Sequence, residues 1–92
     1  MTKLMGTIRI TPNPGSATSR PHFEVVFVPY AGRLNTQVVR VSTHDDLVAF
    51  LMEIKISEDD AARWAGRARS DVVLIPGIER SEAQLKESGL LG

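Results

Sequence analysis

His22 and His44 are the only histidines in the chain, and cysteine is absent. A thiolate nucleophile, a thiolate metal site and a disulfide framework are thereby excluded, and neither histidine has a second ligand type at zinc spacing. His44-Asp45-Asp46 gathers metal-binding residue types, but consecutive helical residues point about 100° apart. Carboxylates in a first helical turn are favoured by the macrodipole alone, and Glu58-Asp59-Asp60 receives the same explanation. No Gly-x-Ser-x-Gly marks a nucleophile elbow. Asn13-Pro14-Gly15-Ser16 could offer backbone amides to an anion, yet it lacks the spacing of a phosphate loop. The residue types therefore point away from catalysis, and the expectation carries no catalytic residue, no metal ligand and no cofactor.

The elements that would position any site are organised around Thr43–Ser70. Leu47, Phe50, Leu51 and Ile54 recur at helical spacing, with Val48 and Met52 widening the stripe, so this first helix has more apolar surface than one neighbour can cover. Three helix starts share one chemistry, a hydroxyl that caps an orphan amide: Thr43-x-x-Asp46, Ser57-x-x-Asp60 and Ser81-x-x-Gln84. The second helix carries Ala61, Ala62, Ala65, Gly66 and Ala68 around Trp64, which is expected in the core. Arg63, Arg67 and Arg69 lie near its C-terminus, where they complement the dipole. The last helix ends at Gly89, with Leu90 placed to meet Leu85 in a Schellman stop.

Around these helices lie extended segments. Leu4–Ile10 alternates with a period of two, and Phe23–Val28 is a run of aromatic and β-branched residues stopped by Pro29. Thr36–Ser42 completes a hairpin whose loop has Tyr30 and Arg33 at its exposed tip. Asp71–Pro76 is apolar without alternation, as expected of a strand covered on both faces or lying centrally in the sheet, and is ended by Pro76-Gly77. Between the first two strands, residues 11–22 are rich in Pro, Gly, Ser and Thr and read as a flexible loop. The expected fold is one α+β domain over 1–92, a small mixed four-stranded sheet in the order β-β-β-α-α-β-α with helices mainly on one face. The long crossover is expected to set the third and fourth strands parallel.

Eleven basic and eleven acidic side chains cancel, which disfavours strong non-specific attraction to nucleic acid or an anionic membrane. The balance is uneven: residues 1–40 hold Lys3, Arg9, Arg20, Arg33 and Arg40 against Glu24 alone. The helix pair invites comparison with a helix-turn-helix, but Glu58, Asp59 and Asp60 would face phosphate, and Lys55 stands where Gly is common. No apolar run reaches membrane-spanning length and the first residues lack a signal peptide's apolar stretch, so the expected location is the cytoplasm.

Alternation gives the most informative surface. If the helices cover Ile8, Ile10, Phe23, Val25, Phe27, Val39 and Val41, then Met5, Arg9, Val26, Val28, Val38 and Arg40 fall on the opposite face. Apolar patches with charged margins mark protein contact, and in a small neutral domain the commonest partner is a second copy. The leading expectation is a non-enzymatic interaction or self-association module, a homodimer or a binder of another protein, using this face or an exposed strand edge. The alternative is a binder of an anionic ligand or nucleic acid through Arg9, Arg20, Arg33 and Arg40. A last helix laid over the same face would remove the surface altogether.

Overall fold

The three capping hydroxyls begin the three helices. In the computed structural model, which describes residues 3–92, Thr43 Oγ1 accepts from the Asp46 amide at 3.0 Å, Ser57 Oγ from Asp60 at 3.3 Å and Ser81 Oγ from Gln84 at 3.2 Å. Each satisfies one of the amides that a helix start leaves without an intrahelical partner. The elements run β1 (Lys3–Asn13), β2 (His22–Pro29), β3 (Val39–Val41), α1 (His44–Glu53), α2 (Glu58–Arg67), β4 (Val73–Ser81) and α3 (Glu82–Ser88). This is the expected α+β order.

The sheet order is β3-β2-β1-β4, antiparallel at every pairing. The expected mixed sheet, with the third and fourth strands parallel, is corrected here: β4 joins the far edge of β1 instead. The two-helix crossover carries the chain across the sheet, and pairing with long β1 offers β4 more ladder than three-residue β3 could.

Strand bounds also differ from the expected ones. Pro12 pairs with Phe23 and Asn13 with His22, so the connection expected over 11–22 narrows to 14–21. That loop is tied to itself. Asn13 Oδ1 accepts from the Gly15 amide at 2.8 Å and the Ser16 amide donates to the Ser19 carbonyl at 2.9 Å, so two of the amides considered for an anion are already used. β3 is shorter than Thr36–Ser42 because Thr36 forms an isolated bridge with Leu91 of the tail.

β4 does not stop at Pro76-Gly77. It passes through a bulge opposite Thr7, between the pairs Ile8–Ile75 and Gly6–Ile78, with Gly77 at φ +70°. As an edge strand it tolerates a proline that cannot donate. It lies at the sheet edge and is covered on one face only, which corrects the expectation of a central strand or of burial on both faces.

All three helices pack on the same face of the sheet. Ile8, Ile10, Val25, Phe27, Val73, Ile75 and Ile78 from the strands form one cluster with Leu47, Phe50 and Leu51 of α1, Ala61 and Ala65 of α2, and Leu85 of α3. Phe23, Val39 and Val41 pack at its margin. The Phe27 ring lies over Gly6, where an added Cβ would stand 2.7 Å from Phe27 Cζ. The last helix therefore does not cover the opposite face. Its αL stop forms as expected: Gly89 has φ +88° and the Leu90 amide donates to the Leu85 carbonyl at 3.0 Å.

Trp64 is half-buried rather than central. Ala61, Ala65 and Ala68 occupy the buried side of α2, and close backbone approach leaves the indole at the core margin. There the Arg63 and Arg67 guanidinium carbons stand 5.2 and 5.6 Å from the ring centroid, within cation–π range.

Candidate interaction surface

Strand alternation and antiparallel register decide what the uncovered face presents. Leu74, Arg9 and Val26 are successive partners across β4, β1 and β2. Extending β3 by one residue sets Val38 beside Val26 and completes a row across all four strands. Below it Thr7 pairs with Val28, and above it Thr11, Glu24 and Arg40 line up. Seven large apolar side chains among the described residues are exposed: Met5, Val28, Tyr30, Val38, Met52, Val72 and Leu74, at 40–57%. Met5, Val28 and Leu74 lie on this face by register, and Tyr30, Val38 and Val72 continue its alternation past the ends of β2, β3 and β4, while Met52 is on α1.

Tyr30 does not stand at a loop tip as expected. Its amide donates to the Met5 carbonyl at 3.0 Å, which turns the side chain back over the sheet. Its hydroxyl accepts the Gly77 amide at 2.7 Å. The bulge leaves that amide outside the ladder, so one phenol ties the end of β2, across β1, to edge strand β4. The neighbouring Thr7 hydroxyl, followed by the Gly77 amide, stabilises the phenolate and holds Tyr30 below the usual tyrosine pKa.

Charge on this face lies mainly at the margins and is already matched there. Lys3 meets Glu79 at 3.6 Å, and Arg40 meets Glu24 at 3.8 Å. Arg9, in the middle of the apolar row, makes no ion pair among the described residues. Of the six residues expected here, Met5, Arg9, Val26, Val28 and Arg40 are placed by register, and Val38 by continuing the alternation of β3. Sequence reasoning missed Tyr30, Val72 and Leu74. The signal for the latter two was the unbroken apolar run before Pro76, which was read as double-sided burial.

The basic alternative does not converge. Arg20 precedes β2 in the 14–21 loop while Arg33 follows its other end, so eight strand residues, about 26 Å of chain, separate them. Arg9 and Arg40 lie between, and Arg40 is paired with Glu24. Among the described residues no three His, Asp or Glu side chains gather into a metal-binding group. His44 meets only adjacent Asp45, at 3.6 Å. His22 Nδ1 donates to the Arg20 carbonyl at 2.9 Å, so in the neutral ring Nε2 is a lone pair, 3.9 Å from the Glu24 carboxylate. A shallow cleft of about 450 Å3 lies between the β1–β2 end and the end of α2, walled by Pro12, Pro14, Pro21 and Phe23, with Arg69 on its polar side. Among the described residues no helix is long and apolar enough to cross a membrane. Compared with family models, with curated proteins and with solved structures, the chain matches none.

Proposed function

We propose that the protein is a non-catalytic association module that docks another protein surface on the outer face of its sheet. The observation that supports this most strongly is that six of the seven large apolar side chains exposed among the described residues collect on that face, while α1, α2 and α3 pack on the other. Scattered exposed apolar residues are ordinary, but a set gathered on one uncovered sheet face is the surface that monomers avoid keeping in water. Tyr30 strengthens the reading because its hydrogen bond to Gly77 fixes the edge strand and keeps the face ordered before a partner arrives. The module is pictured in the cytoplasm, where a chain without disulfides folds without an oxidant.

Sedimentation velocity of the purified protein over a broad concentration range tests this reading. Concentration-dependent mass above 10.1 kDa, abolished by Val26→Asp with retained thermal stability, is expected. Association that persists in Val26→Asp would move the contact elsewhere. Binding of duplex or single-stranded nucleic acid that weakens steeply with salt would favour the basic alternative instead.

A further inference from the structure

We propose that the occupant of the uncovered face is a second copy of this chain, packed face to face about a two-fold axis that runs along the line between β1 and β2. The inference rests on the association reading above and adds its partner and register. A four-stranded sheet has its midline between its two inner strands, here β1 and β2. An in-plane two-fold there lays β4 of one copy over β3 of the other, and β1 over β2.

The side chains on the two halves of the face are complementary under that operation. Leu74 comes over Val38 of the partner subunit, Thr7 over the partner's Val28, and Met5 over the partner's Tyr30. Arg9 comes over the partner's Val26. Glu24 lies two residues further along the same strand, about 7 Å along it and about 10 Å across the gap between packed sheets, a span that an extended arginine and an extended glutamate bridge together. Arg9, without an ion pair among the described residues, thus meets a carboxylate that it shares with Arg40, and the symmetry makes the contact twice. A two-fold placed on β1 itself would bring the two Arg9 guanidiniums together and is disfavoured by their repulsion. The marginal pairs Lys3–Glu79 and Glu24–Arg40 leave no large excess of one sign to oppose the approach.

The area suffices. Strands of 11, 8, 3 and 9 residues, at about 3.3 Å per residue and about 4.8 Å between strands, give a face of about 500 Å2. Two such faces total about 1,000 Å2, the threshold of a specific interface, before the relief of the side chains is counted.

Charge-reversed variants test the register. Arg9→Glu alone places two acids opposite one another and Glu24→Arg alone two bases, so each is expected to weaken self-association at least tenfold by sedimentation equilibrium. An equimolar mixture restores both cross-pairs and is expected to recover mass as a heterodimer. Far-UV circular dichroism and melting confirm folding of each variant, with Glu24→Lys used if the arginine variant does not fold. A dimeric wild type whose variants are unaffected, or whose mixture stays monomeric, overturns this register while leaving association by the sheet face standing. A wild type that is monomeric at every concentration overturns both.

Discussion

Leu74→Ser separates stability from association, because more than half of the side chain is uncovered in the isolated fold and becomes buried only in a covered face. Leu74 is 57% exposed, so about half of the roughly 1.5–3 kcal/mol available from burying a leucine is still ungained, about 1 kcal/mol. A two-fold interface counts the residue twice, which makes about 2 kcal/mol, or about 30-fold in the dimer dissociation constant. The monomer should lose only the part already buried, about 1 kcal/mol, and the dimer loses the rest on top of it. Sedimentation equilibrium at several loading concentrations reads the first quantity, and thermal melting at a concentration too low for dimer reads the second. An unchanged dissociation constant, or a large fall in melting temperature at low concentration, would falsify the placement of Leu74 on an association face. Met52→Ser is the control, since this exposed apolar residue lies on α1 and should leave association untouched.

Other substitutions test the fold that supports the face. Lys55 has φ +70° at the α1–α2 turn, a left-handed conformation that costs a side-chain-bearing residue about 1–2 kcal/mol, whereas glycine loses about 0.5–1 kcal/mol in chain entropy. Lys55→Gly should therefore stabilise by about 0.5–1 kcal/mol, and a lower melting temperature would contradict the turn geometry. Arg80 Nε donates to the Ile54 carbonyl at 2.6 Å and satisfies the end of α1. Arg80→Met keeps the apolar stem but leaves that carbonyl unpaired, at a cost of about 1–2 kcal/mol in urea unfolding, reduced from the full charge-assisted value by partial exposure. Tyr30 is the only tyrosine, so phenolate absorbance reports it alone. Its midpoint should lie below about 10 and move up in Thr7→Val. With the folded pKa depressed, this group's contribution to stability is present above the unfolded pKa and lost as pH falls through the folded one. A midpoint at or above the ordinary tyrosine value goes against the Tyr30–Gly77 tie.

Local chemistry was legible and non-local choice was not. Thr43, Ser57, Ser81 and Gly89 mark helix ends because a cap is decided within a few residues, and the alternation of Leu4–Ile10 assigns faces for the same reason. Which edge β4 would join depends on pairing energies over the whole sheet, and no short-range signal carries them. Trp64 stands at the core margin because three alanines bring α2 close to α1 and close the space an indole would need. The run Val72–Ile75 misled more usefully. Its apolar side chains do face two sides, but only one side is covered within the chain. Val72 and Leu74 thus carried a sign of the outer face that double-sided burial concealed, and Tyr30 gave none, since its capture depends on a bulge 47 residues away.

Backbone amide shifts followed by NMR as the protein is concentrated from dilute to millimolar address the outer face most directly. The expected result is a saturable change at Met5, Arg9, Val26, Val28, Val38 and Leu74, with the amides of α1 and α2 staying where they were. Spectra that do not change with concentration, or changes gathered on the helices, would contradict the claim that this sheet face is where the protein self-associates.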